Sequence, residues 1–337
     1  MKSIFSKEGI LKNTSGLFLL VFLITFLINT NTVKALSISP VRLELAGNRG
    51  ESVVSKIQVI NTESVTKTYF TNIYTFEAGD EDGNPVFRIV KTDLASWINV
   101  PEAITLGPKE SKILPLSITI PKDAESGGYF ASVFLTQTPP KTSQEGDVSV
   151  ASELGELVLL RVNGDFKEGA DILEFDTKNH SHWFTSLPIT FYYRFQNLGQ
   201  NWARPLGDVV VKNIIGKTSV LIKANKNEGN VLPQSIRKFE ITWGNADFTG
   251  GFWSKVLYQW KNFAFGPYTI NLNLAYGVQS LQSATAKTSI WVFPWQLLVV
   301  LLLGGTILFY LLRKGIRTYN AWVIANSAGK SKPRNKK

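Results

Sequence analysis

Cysteine is missing from all 337 residues. A chain without thiols has no disulfide, no thiol nucleophile, no thiolate-held zinc and no iron–sulfur cluster, so its domains are held by hydrophobic cores alone. Histidine is almost as scarce, with His180 and His182 the only two. At i and i+2 on a strand they share a face, but with Asp176 as the one nearby ligand they fall short of an ordinary zinc site. Two surface histidines are the expectation, and no metal is assigned. The chain also lacks a Gly-x-Ser-x-Gly elbow, a phosphate-binding loop and a dinucleotide fingerprint. Scattered carboxylates such as Asp171, Glu174 and Asp176 form no recognisable catalytic pattern. A protein that is not an enzyme and carries no cofactor is expected.

Positive charge is the next thing lacking, although the total of +10 hides it. Residues 1–35 hold Lys2, Lys7, Lys12 and Lys34 against Glu8, and residues 313–337 hold eight Lys or Arg and no acid. The stretch between them keeps 24 basic and 25 acidic residues, a net charge of −1. A nucleic-acid binder concentrates positive charge on its folded domain, so nucleic acid is excluded as a partner.

The two ends explain the charge. Leu17–Ile28 is an apolar run broken only by Thr25, preceded by lysines and followed by Val33-Lys34-Ala35. This is the layout of a secretory signal peptide over residues 1–35, cleaved after Ala35. From Leu297 to Leu312 no residue is charged. Aromatic residues Trp291 and Trp295 precede that run, and Arg313 and Lys314 follow it. Those four are the expected interface anchors of a single transmembrane helix over 291–312. The positive-inside bias then leaves a basic cytoplasmic tail, 313–337, and an extracellular ectodomain on the cell membrane.

Between the ends the hydrophobic period is two. Ile189, Phe191, Tyr193 and Phe195 alternate with polar or outward residues. So do Phe239, Ile241 and Trp243, then Tyr268, Ile270, Leu272, Leu274 and Tyr276, and Leu114, Leu116, Ile118 and Ile120. Such stretches are half-buried strands, and Gly, Pro, Asn and Asp turns at short intervals place them in β-sandwiches. No amphipathic helix is expected outside the ends. The halves echo each other: a strand ending at Asn61 and one ending at Asn197, then Pro turns, then Gly127-Gly128-Tyr129 and Gly266-Pro267-Tyr268 opening late strands. A Tyr in that place matches the tyrosine corner of immunoglobulin-like domains. The expected fold is all-β, with two immunoglobulin-like β-sandwich domains, 36–165 and 166–290, meeting near Gly164–Gly169. The polar stretch Thr138–Val148 is expected to be a long hairpin connection.

Two local patterns suggest contacts. Asp80-Glu-Asp-Gly-Asn-Pro85 has a calcium-loop flavour, but Pro85 and Lys91 stand where an EF-hand needs Gly and Glu. A hairpin with Asp82-Gly83 at its tip is the better reading. Trp243 to Tyr268 is crowded with aromatic rings, of which Phe248, Phe252, Trp253 and Trp260 are candidate partner or glycan contacts. Core filling, or insertion of Trp253 or Trp260 into the bilayer interface, is the competing reading.

The motifs Ile38-Ser-Pro-Val41, Ile57-Gln-Val-Ile-Asn-Thr62, Leu106-Gly-Pro-Lys-Glu-Ser111, Leu116-Ser-Ile-Thr-Ile-Pro121 and Asp123-Ala-Glu-Ser-Gly-Gly-Tyr-Phe130, with the order of parts, resemble the WxL-interacting proteins of Gram-positive bacteria. That resemblance implies surface attachment, peptidoglycan binding by the first domain and protein-partner binding by the second. The expectation is a membrane-anchored cell-surface binding protein that engages peptidoglycan or another exported protein. The alternative is a pilus-chaperone-like assembly factor that accepts a partner strand at a sheet edge.

Overall fold

The computed structural model describes residues 36–138, 154–244, 250–278 and 282–328. The signal segment, Phe248, most of the Thr138–Val148 stretch and the Lys330–Lys337 end of the tail lie outside them.

The first sandwich contains β1 (Leu36–Ser39), β2 (Arg42–Gly47), β3 (Ser52–Asn61), β4 (Lys67–Ala78), β5 (Pro85–Arg88) and the single helical turn α1 (Leu94–Trp97). It continues with β6 (Ile98–Asn99), β7 (Ala103–Leu106), β8 (Ser111–Thr119), β9 (Gly127–Thr136) and β10 (Leu154–Val162). One sheet has the order β1-β3-β8-β6, and the other β2-β10-β9-β4-β5 with β7 also on β4. In immunoglobulin lettering these are A-B-E-D and A′-G-F-C-C′. The motif Ile38-Ser-Pro-Val41 marks the place where the first strand changes sheets. β1 pairs antiparallel with β3, Pro40 has no N–H to continue a ladder, and β2 then runs parallel to β10.

The second sandwich repeats the plan. It contains β11 (Ala170–Thr177), β12 (Trp183–Phe184), β13 (Ile189–Asn197), β14 (Leu206–Asn213), β15 (Thr218–Lys223), β16 (Ile236–Trp243), the helix α2 (Phe252–Lys261), β17 (Gly266–Tyr276) and β18 (Gln282–Val292). Its sheets are β11-β13-β16 and β12-β18-β17-β14-β15. Again the first strand is split: β11 is antiparallel to β13, and β12 is parallel to β18.

The alternating residues supply both cores. Leu114, Leu116 and Ile118 meet Ile57, Val59, Val133 and Leu160 in the first sandwich, all buried. Phe191, Tyr193 and Phe195 meet Ile241, Ile270 and Leu272 in the second. Each such side chain contributes about 1.5–3 kcal/mol on burial, which is how two domains without cross-links hold together. The tyrosine hydroxyls turn back to the main chain: Tyr129 donates to the Glu125 carbonyl at 3.0 Å, and Tyr268 accepts from the Phe265 N–H at 3.2 Å.

A buried asparagine closes the second strand of each sandwich. Asn61 Nδ2 donates to the carbonyls of Val65 and Gly107, both at 2.8 Å, while its Oδ1 accepts from the Glu63 N–H. Asn197 does the same, with Nδ2 on Asn201 O at 2.8 Å and Val231 O at 2.9 Å, and Oδ1 taking the Gly199 N–H. One amide thus satisfies loop groups that would otherwise be buried unpaired.

The sandwiches are clasped along one side. The Asp80–Pro85 turn is a hairpin tip, as Asp82-Gly83 suggested, and Asp80 spends its own oxygens on it. Oδ1 takes the N–H groups of Asp82 and Asn84, and Oδ2 the Asn84 side chain. Glu81 beside it reaches the second domain, where the Arg194 guanidinium grips it through Nε at 2.7 Å and Nη2. The Glu81 carbonyl accepts from the Lys238 N–H at 2.6 Å. A second contact joins Glu44 to Arg204 and to Asn230 Nδ2 at 2.9 Å. The Gly127-Gly128 pair is explained here too. Gly127 has φ +140, and a Cβ on it would stand 2.9 Å from the Gln200 carbonyl of the other domain.

Two expectations need correction. α2 is a ten-residue helix where none was expected outside the ends. The apolar C-terminal segment also has different bounds. Ile290-Trp291-Val292 belongs to β18, Pro294 ends the ladder, and the helix α3 runs Trp295–Ala328, through Arg313 and Lys314 without a break. Its window of mean hydropathy 2.2 makes it the one helix among the described residues long and apolar enough to cross a membrane.

Candidate functional site

An open groove of about 740 Å³ lies on the first sandwich, formed where strands of one sheet meet the connections to the other. β4 supplies Phe76 and Glu77, β5 supplies Arg88, and β9 supplies Tyr129 and Phe130. The turn before α1 brings Asp93, α1 itself Trp97, and the loop entering β9 brings Asp123 and Glu125. Each arrives for a local reason. Strand alternation puts Glu77 outward beside the buried Phe76. α1 is too short to bury more than Leu94 and Ala95, which leaves Trp97 half-exposed.

Trp97 and Tyr129 form the aromatic wall, their ring centroids 4.6 Å apart and tilted by 51°. Phe76 and Phe130, 5.8 Å apart, continue it toward Trp202 of the second domain. Four carboxylates and one guanidinium line the rim. Arg88 is bonded to Glu77 and holds that carboxyl below its usual range, so the free character of the rim is acidic. Burial raises the Tyr129 phenol, which therefore stays neutral and hydrogen-bonding. Asp93 adopts φ 47, a backbone region unfavourable to a side chain, and its carbonyl is held by Ser96 Oγ at 2.7 Å. Aromatic faces flanked by carboxylates suit hydroxyl- and amine-bearing ligands: rings pack on the walls, and O–H or N–H groups donate to the rim.

The sequence candidates lie elsewhere. Phe248 is outside the described residues. Phe252, Trp253 and Trp260 are all on α2, exposed by 42%, 71% and 62%. Trp243 and Tyr268, from the same aromatic stretch, are instead packed edge-to-face in the core. Trp291 stacks on Trp183 at 5.3 Å, Trp295 begins α3 with its ring 6.1 Å from Phe252, and Arg313 and Lys314 are exposed on α3. His180 lies 3.1 Å from Asp176, and His182 3.9 Å from it. Among the described residues no three His, Asp or Glu side chains are grouped to hold a metal ion.

Sequence reasoning missed the groove, because its residues come from five separated segments. It also missed Glu156 on β10, inward-facing and fully buried, with neither carboxylate oxygen bonded among the described residues. Burial pushes its carboxyl up to about 7.

No family model matches the chain, and no curated protein does. Solved structures of bacterial chaperones superpose loosely. The class 5 fimbriae chaperone CfaA is 13% identical, with 75% of this chain and 98% of that one covered at a TM-score of 0.38. The E. coli chaperone DraB is 11% identical, with 76% and 96% covered at 0.34. The Pseudomonas aeruginosa CupB2 chaperone is 11% identical, with 75% and 100% covered at 0.33. The immunoglobulin-like topology stands on strand order and register, independently of these likenesses.

Proposed function

We propose that this chain is an exported, single-pass membrane protein that binds a surface polymer without chemically altering it. The observation that carries the reading is the acidic, aromatic-walled groove between β4, α1 and β9. Its rim donates no strong positive charge to an anion, and its walls offer rings to a sugar or an apolar side chain. A glycan strand bearing amine-containing peptides, as in peptidoglycan, meets both demands. The motifs that resemble the WxL-interacting proteins fall on this same sandwich, and Asp123, Glu125, Tyr129 and Phe130 of one of them line the groove. α3 tethers the ectodomain, with Arg313 and Lys314 on the cytoplasmic side. The rim's carboxylates are spread around the groove and support no acid–base pair in a closed cleft, so we assign no reaction to it.

A second reading has one observation in its favour. Among the described residues β15 pairs only with β14, and the strand carries exposed Leu221. Such an edge can accept a strand from another exported chain.

Sedimentation of the full-length protein in detergent with washed cell wall tests the first reading. Asp123→Asn with Glu125→Gln, both at exposed positions, should weaken co-sedimentation roughly tenfold, about 1.4 kcal/mol. Unchanged wall binding by that variant would remove the groove from the account. Capture of one exported protein, blocked by Leu221→Pro, would establish the edge reading.

A further inference from the structure

The strand register places three separate apolar features at one end of the second sandwich. Gly266 opposes Val292, and Asn213 opposes Tyr268, which in turn opposes Ile290. The β14–β15 turn, Ile214-Ile215-Gly216-Lys217, therefore lies level with the end of β18, where the chain leaves for α3. Ile214 and Ile215 are 77% and 78% exposed, at the tip of a hairpin with nothing over them among the described residues. β12 ends at the same level, since Trp183 pairs with Trp291, and their rings stack in the open.

The third feature is α2. Its position is fixed by a buried glutamine: Gln259 donates to the Thr185 carbonyl at 3.0 Å and to Gln296 Oε1 at 2.7 Å, and accepts from the Leu297 N–H at 3.0 Å. These bonds tie α2 to the first turn of α3. The opposite face of α2 carries Trp253, Leu257 and Trp260 at i, i+4 and i+7, all exposed. A soluble helix does not ordinarily turn such a stripe to water. Charge on the described stretches at this end is of one sign. Segments 182–188, 212–217, 250–266 and 290–297 contain Lys212, Lys217, Lys255 and Lys261 and no acid.

We propose that this end of the second sandwich is a membrane footing, with the Ile214–Ile215 tip and the Trp253 stripe of α2 seated among the lipid headgroups of the outer leaflet. The inference rests on the reading of α3 as a bilayer-spanning helix. Continuity supports it: the Trp295 ring that opens α3 lies 6.1 Å from Phe252 of α2. Trp and Leu on one face with lysines at the margins is the composition of interfacial helices, and the lysines fit anionic headgroups. The footing fixes how the ectodomain stands on the membrane, and with it the direction the groove faces.

The absence of cysteine makes a direct test simple. Single cysteines at Ile215, Leu257, Val54 and Leu302 in the full-length chain are spin-labelled and reconstituted in zwitterionic and anionic bilayers. Depth is read from relative accessibility to oxygen and to a water-soluble nickel chelate. Val54, on the first sandwich and 73% exposed, reports water, and Leu302 reports the span. The proposal expects Ile215 and Leu257 to show a severalfold higher oxygen-to-nickel ratio than Val54, rising further with anionic lipid. Labels at Ile215 and Leu257 that match Val54 while Leu302 reads deep would overturn the footing and leave the span standing. Shielding of both labels from both reagents would show a protein partner there and equally overturn it. Water-like accessibility at Leu302 would remove the spanning reading and the footing together.

Discussion

Glu156 offers a quantitative test of the first sandwich. Its carboxyl is buried in the core with no hydrogen-bond partner among the described residues, and burial moves it from 4.5 to about 7. Below about pH 4.5 it is protonated in the folded and unfolded chain alike, and its contribution is fully favourable. As pH rises through 7, the unfolded chain ionises freely while the folded carboxyl resists, so stability is lost across that window. At about 1.4 kcal/mol per tenfold change the full loss is at most roughly 3 kcal/mol. Glu156→Gln keeps the shape and removes the ionisation. Thermal unfolding of the full-length protein in detergent, followed by tryptophan fluorescence, should show the variant matching wild type near pH 4.5. At pH 8 it should melt roughly 4–8 °C higher. An equal difference between the two proteins at both pH values would refute the claim that a buried, unpaired carboxylate is present.

Asn61→Ala and Asn197→Ala should each cost roughly 2–4 kcal/mol, since each strands several buried loop groups; chemical unfolding would show the two losses to be similar. Glu81→Ala should cost no more than about 1 kcal/mol, because the Arg194 pair is partly exposed. It should nevertheless broaden the spread of domain orientations seen by small-angle scattering. Gly127→Ala should loosen the same joint, its Cβ meeting the Gln200 carbonyl, and should also lower the melting of the first sandwich, because φ +140 strains any side chain there.

The strands were legible because each presents a period of two over enough residues to exclude a helix, as Phe191, Tyr193 and Phe195 do. The paired asparagines were visible only as strand ends; their role depends on carbonyls more than thirty residues away, such as Val231 for Asn197. α2 was illegible because Val256 and Tyr258 are apolar on its half-buried side while Phe252, Trp253, Leu257 and Trp260 are apolar and exposed. No single stripe stands out, although the i, i+4, i+7 spacing of the outer set was there to be read. β18 runs into the apolar C-terminus with strand-forming Ile290-Trp291-Val292, so composition alone placed the start of the helix too early. The groove draws Glu77, Asp93, Trp97 and Glu125 from separate connections, and nothing local links them. Glu81 read only as part of a hairpin turn, and its partner Arg194 lies 113 residues on.

The central claim is that the groove on the first sandwich is the ligand-binding surface. Single cysteines at Asp123 and at Leu221, carrying a photoactivatable crosslinker in the otherwise thiol-free chain, test it most directly on intact cells. The account predicts crosslinks to cell-wall polymer from position 123 and none above background from position 221. Crosslinks to an exported protein from 221, with position 123 silent, would contradict it and transfer function to the β15 edge.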